Sequence, residues 1–317
     1  MTRKLMKEFL TVRVVSALFL AIIFCSCSKN NDELTICFTG DLMLDKGVRQ
    51  QIEIEGIDAL FESVAPLFRS CDAVVVNLEC PVTERNMPIN KRFIFRAEPQ
   101  WLPALKKAGI THAALANNHT NDHARQGLVD TYNHLKNNDL IPTGAGKNAD
   151  AAAKPVIIEK GKTKVAIFNS VLIPLENWMY LPDNFSICQL SASELCENIK
   201  IFSEENKKCK IVVVLHWGVE YSEKPTPDQR QQAYKLIEAG ADAIIGHHPH
   251  VPQILEYYQN KPIFYSLGNF IFDNKHPAAQ KGILAKLTFS QTDIKTQTLH
   301  FEIKKFKPIM QNVDYKY

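Results

Sequence analysis

The sequence has little of what would place it outside the globular proteins. Its 13 glycines and 16 prolines are spread thinly through 317 residues, which excludes a collagen-like or low-complexity chain. Charged residues make up 22% against 45% hydrophobic ones, so a disordered polyelectrolyte is excluded as well. A surplus of positive charge is also missing. The formal net charge of +3 is carried by Arg3, Lys4, Lys7 and Arg13 against Glu8, and the rest of the chain is neutral. A nucleic-acid partner, which needs cations to displace counterions from phosphates, is therefore not expected. Beyond Cys25 and Cys27, the cysteines Cys37, Cys71, Cys80, Cys188, Cys196 and Cys209 show no zinc-ribbon or redox spacing. The sequence selects no pairing among them, and they read by default as small buried hydrophobes. After the N-terminal segment no apolar run approaches the length of a membrane span.

What is present begins with a targeting pattern. A basic start precedes Val14 to Phe24, an apolar run of signal-peptide length that falls short of a full span. Ser26-Cys27 closes the run, and polar Ser28 to Glu33 follow. This resembles a bacterial lipoprotein lipobox: residues 1–26 as signal peptide, Cys27 as the lipidated mature N-terminus, and 27–33 as a polar tether. Phe24 and Cys25 depart from the usual lipobox residues, which leaves an uncleaved anchor as the alternative. The expected location is outside the cytoplasm, held by lipid at a bacterial cell-envelope membrane.

Short β-branched runs then alternate with amphipathic patterns, as in strands crossed over by helices. Strands are expected at Leu34 to Thr39, Ala73 to Leu78, Ala113 to Ala116, Val165 to Asn169, Lys210 to Leu215, Ala243 to Ile245 and Pro262 to Ser266. Helices are expected near Pro99 to Ala108, Arg125 to Asn137 and Asp228 to Ala239. The runs Ile283 to Phe289 and Thr298 to Ile303 read as a hairpin packed on the edge, so that 274–317 completes the domain of 34–273. Leu172 to Glu194 has weak periodicity and reads as an irregular excursion.

The informative feature is where the polar residues sit. Asp41, Glu79, Asn118, His216, His248 and His250 each fall just after a predicted buried strand. In a layered α/β sheet the carboxyl ends of the strands share one rim, where ligands bind. Two carboxylates, an amide and three imidazoles mix oxygen with nitrogen donors, a set suited to Zn, Mn or Fe more than to Ca or Mg alone. Singly, each has a plainer reading: Asp41 as a helix cap, His216 as a core histidine, His248-Pro249-His250 as a turn. Jointly they point to a metal site.

These residues sit in a motif series. Gly40-Asp41-Leu42-Met43, Asn77-Leu78-Glu79, Ala116-Asn117-Asn118-His119, His216-Trp217-Gly218-Val219-Glu220-Tyr221, Gly246-His247-His248-Pro249-His250 and Tyr265-Ser266-Leu267-Gly268-Asn269-Phe270 resemble the motifs of the CapA family of capsule and poly-γ-glutamate synthesis. That family is in turn similar to the calcineurin-like metallophosphoesterases. The resemblance implies a four-layer α/β/β/α sandwich and two divalent ions held by Asp41, Glu79 (bridging), Asn118, His216, His248 and His250. It implies His119 as the catalytic imidazole.

Three departures stand out. Met43 replaces a frequent ligand histidine, Glu79 is longer than the usual aspartate, and Thr120 replaces the acid that often follows the catalytic histidine; Asp122 takes that orienting role instead. Arg96, Glu220, Tyr221 and Asn269 are expected to line the rim and touch an anionic substrate, with a surface salt bridge as the alternative for Arg96. Two functions remain open: a metal-dependent hydrolase of an anionic polymer or phosphoester of the envelope, or a non-catalytic polyanion-binding component of a capsule synthesis or export complex.

Overall fold

The strands sort into two sheets that stack face to face. The structure is a computed structural model that describes residues 32–310; the lipobox and Cys27 lie outside the described residues. The first sheet contains β1 (Leu34–Leu42), β2 (Ala73–Leu78), β3 (His112–Ala114) and β4 (Ile141–Thr143), all parallel. A small antiparallel pair, β5 (Ala145–Gly146) with β8 (Ser186–Ile187), lies apart. The second sheet is built from β6 (Val156–Lys160), β7 (Thr163–Val171), β9 (Cys209–His216), β10 (Ala243–His247), β11 (Leu255–Tyr258) and β12 (Lys261–Phe264), in the order β11-β12-β10-β9-β7-β6. The chain then returns to the first sheet through β13 (Asn269–Ile271), β14 (Lys281–Phe289), β15 (Ile294–Lys304) and β16 (Lys307–Met310). That sheet runs β16-β15-β14-β1-β2-β3-β4, with β13 also parallel to β1.

Alternation along the strands explains the layering. Leu34, Ile36 and Phe38 of β1 join Ala73 and Val75 of β2 and meet Val212, Val214, Ile245 and Phe264 of the second sheet in one buried layer. Their neighbours Cys37, Val74 and Val76 face the opposite way, under α1 (Gly47–Glu55), α2 (Ala65–Arg69), α3 (Leu102–Ala108) and α4 (Ala124–Asn137). A short α5 (Ala149–Ala153) is capped by Asn148. On the outer face of the second sheet, Ile211, Val213 and Leu215 pack against α6 (Ala192–Glu205) and α7 (Pro227–Glu238). Helices thus cover both outer faces, and strands buried on both sides read as unbroken apolar runs in the sequence.

Local signals fix the helix ends. Ser191 with Glu194 and Thr226 with Gln229 form capping boxes, the second with Pro227 in the first turn. Gly109, at φ 106°, ends α3 in the left-handed conformation.

The excursion after Leu172 contains β8 and little else regular until α6, a helix the periodicity reading did not single out. β14 pairs with β1 rather than sitting at an edge, which is formed by β16. All six described cysteines are free thiols; Cys37, Cys80 and Cys188 are buried, whereas Cys71, Cys196 and Cys209 are half-buried. Among the described residues no helix is long and apolar enough to cross a membrane.

Candidate metal centre

The expected ligands come from the carboxyl ends of both sheets. Asp41 is held where β1 changes register against β2 and β13, the kind of irregularity that re-aims a side chain at a functional rim. Gly40 permits this: a Cβ there would lie 2.0 Å from the Gly268 carbonyl oxygen. Glu79 follows β2, its N–H donating to the Leu42 carbonyl at 2.8 Å. Asn118 and His119 follow β3, His216 ends β9, and His248 and His250 follow β10. His248 (φ 97°) and His250 (φ 59°) both adopt left-handed backbone around Pro249, strain of a kind concentrated at functional sites.

The donor atoms converge. One donor each from Asp41, Glu79 and His216 lie within 4.8 Å of one another, all buried. His216 Nε2 is 2.9 Å from Asn118 Oδ1 and 3.8 Å from Glu79 Oε1. His250 Nε2 is 3.9 Å from the same Glu79 oxygen, and the His216 and His248 rings are 4.9 Å apart. Both carboxylate oxygens of Glu79, wholly buried, and Nδ1 of His248 have no hydrogen-bond partner. A carboxylate buried without a donor is costly unless a cation compensates it. With imidazoles facing it, this donor set fits a divalent ion.

Proton affinities reflect the same crowding. Burial, reinforced by the Asp41 charge, pushes Glu79 well above the usual carboxylate range. Burial also opposes ionisation of Asp41, but the His250 hydrogen bond and charge outweigh it and hold Asp41 low. Burial works against protonated His250 too, yet the Glu79 charge and the Asp41 hydrogen bond raise it to about 9. Burial and the neighbouring His250 depress His248 to about 3, and burial with His248 lowers His216 strongly.

A second set of residues orients the first. Asn77 donates to Asp41 Oδ1 at 2.8 Å and lies 3.3 Å from His216 Nδ1. Asn117 donates to Asn77 Oδ1 and to the Leu78 carbonyl, and accepts the His119 N–H at 3.1 Å. Asn269, expected to touch substrate, is fully buried and accepts from His250 Nδ1 at 2.9 Å. Met43 is buried in the outer core, its sulfur accepting the Asp45 N–H.

His119 Nδ1 lies 2.7 Å from Asp122 Oδ2, so Asp122 is placed to orient the imidazole where Thr120 departs from the family pattern. Burial lowers His119, against the pull of Asp122. Thr120 turns inward to Asn117 Oδ1. A cleft of about 330 Å³ opens beside His119 and His250, walled by Phe93, Glu220 and Tyr221 with Lys46 and Lys275. Arg96 is not among its lining residues: its guanidinium meets Glu98 and the Glu84 carbonyl, the salt-bridge alternative raised by the sequence. Asn77, Asn117 and Lys91 were not assigned roles from the sequence; Asn77 and Asn117 sit within the quoted motifs, whereas Lys91 carries no local signal.

Comparison with known proteins accords with this geometry. A putative 5'-nucleotidase from Staphylococcus aureus aligns over 90% of this chain and 56% of its own with a TM-score of 0.55 at 13% identity. The calcineurin-like phosphoesterase YfkN from Bacillus subtilis aligns over 84% and 90% with a TM-score of 0.52 at 15% identity. The fold class is therefore that of the metallophosphoesterases.

Within it, the family described as bacterial capsule synthesis protein PGA_cap matches residues 35–274, and the chain belongs to that family. The PGA biosynthesis protein CapA of Bacillus subtilis is 34% identical over 280 residues, covering 84% of this chain and 72% of that protein. The capsule biosynthesis protein CapA of Bacillus anthracis is 33% identical over 251 residues, 77% of this chain. This chain matches 61% of that relative's length.

Proposed function

We propose that the chain is a metal-dependent hydrolase acting on an anionic polymer or phosphoester during capsule or poly-γ-glutamate synthesis, anchored at the cell envelope through Cys27. The observation that carries the chemistry is the unpartnered Glu79 carboxylate among imidazoles, beside a cleft with His119 on its wall. Asp41, Glu79, Asn118, His216, His248 and His250 would hold two divalent ions, of Mn, Zn or Fe type. Such ions supply Lewis acidity and a water acidic enough to attack near neutral pH.

The chain's own residues do the rest. Asp122 accepts the Nδ1 hydrogen of His119, so that in the imidazolium form Nε2 carries the proton given to the departing oxygen and the ring is left neutral with its hydrogen on Nδ1. Lys46 and Lys275 offer positive charge to an anionic substrate in the cleft, and the Tyr221 ring, stacked on His276 at 4.9 Å, forms one wall. Capsule synthesis proteins are the partners this reading implies.

The test is the protein lacking residues 1–27, assayed for metal content and then against phosphomonoester, phosphodiester and γ-glutamyl amide substrates. Stoichiometric metal with turnover of at least one class supports the reading. Metal without turnover would favour polymer binding alone, which Met43 favours by leaving one ion a thinner ligand shell. For the anchor, Cys27→Ser should abolish lipid labelling and leave an unprocessed precursor. Unchanged processing would sink it.

A further inference from the structure

Lys91 lies in the irregular segment between β2 and α3, yet its side chain is only 3% exposed. Its ammonium donates to the Asn118 carbonyl at 2.6 Å and to Asp122 Oδ1 at 3.1 Å. It also approaches His119 Nδ1 to 3.3 Å. That last contact is not a hydrogen bond. Asp122 Oδ2, 2.7 Å from the same nitrogen, is acceptor-only when ionised, so Nδ1 carries the hydrogen and cannot also accept from an ammonium.

Asp122 thereby has both carboxylate oxygens engaged. Oδ1 takes Lys91, while Oδ2 takes His119 and the Phe95 N–H at 2.8 Å. Phe95 comes from the same segment, and its ring lies 4.4 Å from the imidazole. One irregular segment therefore grips the catalytic turn from two sides, by charge and by ring contact.

Stability does not require this arrangement. Burying an ammonium and a carboxylate costs about as much as their attraction returns, and an apolar pair of similar volume would often do as well. What the pair does uniquely is fix geometry.

We infer that Lys91 is a positioning residue: by joining Asp122 to the Asn118 carbonyl, it holds the His119 imidazole in one tautomer and one orientation toward the cleft. The kinetic part of this inference rests on the hydrolase reading; the structural part does not.

The experiment replaces Lys91 by methionine, of similar length without charge, in the full mature chain. Three quantities are compared with wild type: metal content, the ¹⁵N imidazole spectrum of His119, and turnover of two substrates differing in leaving-group basicity. Wild type should show a single Nδ1-protonated tautomer. Lys91→Met should show both tautomers, unchanged metal content, and a loss on the order of 10²-fold for the basic leaving group, as expected for a misplaced group. The activated substrate should lose much less, and Lys91→Arg should recover part of the loss.

A wild-type tautomer spectrum in Lys91→Met, or equal losses for both substrates, would overturn the inference. If wild type turns over nothing, the hydrolase reading fails and the tautomer spectrum alone decides the role of Lys91. Should Lys91→Met not fold, Lys91→Gln, which keeps a donor without the charge, carries the same measurements.

Discussion

The two sheets contribute differently to the candidate centre: Asp41, Glu79 and Asn118 come from the carboxyl-end rim of the first and bring oxygen, whereas His216, His248 and His250 come from that of the second and bring nitrogen. The negative charge of the ligand set is on one sheet and its neutral donors are mostly on the other. Neither sheet alone offers a site. An ion held between them would act as a cross-link, and the oxygen side is where compensation is missing, at the Glu79 carboxyl group without a hydrogen-bond partner.

The sharpest way to break this comparison is to remove one ligand from each side. Glu79→Gln and His216→Ala should both abolish stoichiometric metal binding, measured by elemental analysis, and with it turnover. Their effects on the metal-free protein should differ in size. Glu79→Gln is isosteric with the protonated acid that burial favours and should shift the melting temperature little; His216→Ala removes packed ring volume and should lower it clearly. Equal shifts would contradict the asymmetry. His248→Ala and His250→Ala should likewise cut metal occupancy with the fold retained, and full occupancy in either would remove that histidine as a ligand.

Next in size is His119→Ala, which stands apart from both ligand sets. Metal content should hold while turnover of a substrate with a basic leaving group falls by about 10²–10⁴. Loss of metal would instead make His119 a ligand. A smaller effect is expected at the residues behind the ligands: Asn77→Ala and Asn269→Ala should weaken metal affinity by about 10–100-fold, read by competition with a chelator.

The acid–base prediction follows from the same asymmetry. In the metal-free protein Glu79 and His250 hold protons more tightly than usual, His250 with a pKa of about 9, so an ion must displace them. Affinity should rise with pH toward 9, with proton release on binding. His119 is shifted downward, so its proton-donating form becomes scarcer as pH rises. Turnover at limiting metal should therefore peak at intermediate pH, and a monotonic profile would contradict this. The smallest effect is Arg96→Ala: its partly exposed pairing with Glu98 contributes less than about 1 kcal/mol, and turnover should be unchanged.

The sequence exposed the candidate centre because buried parallel strands are unmistakable and each expected ligand stands at or near the carboxyl end of one. The layering is legible through the family resemblance, and the structure accounts for it in runs such as Val74-Val75-Val76, which are covered on both faces. The sequence did not expose the supporting residues. It assigns Asn77 no role and Asn269 only a substrate contact, whereas both hold other side chains across a gap that no spacing records. The sequence allows Arg96 two roles, a rim contact or a surface salt bridge, and the structure pairs it with Glu98 two residues on, away from the cleft lining. Helix α6 was missed because its apolar face is narrow, with only Leu195 and Ile199 fully buried.

The centre's ligands are scattered from Asp41 to His250, each delivered by a different strand end or turn. On the proposed reading, an ion arriving early would meet isolated side chains and gain nothing from them until both sheets have formed and stacked. Folding and loading would then be ordered events, the chain first and the cation second. Added metal should leave the refolding rate unchanged and act on the other limb of the kinetics, slowing escape from the native state. A refolding rate that climbs with cation concentration would mean that some of these donors gather before the sheets do.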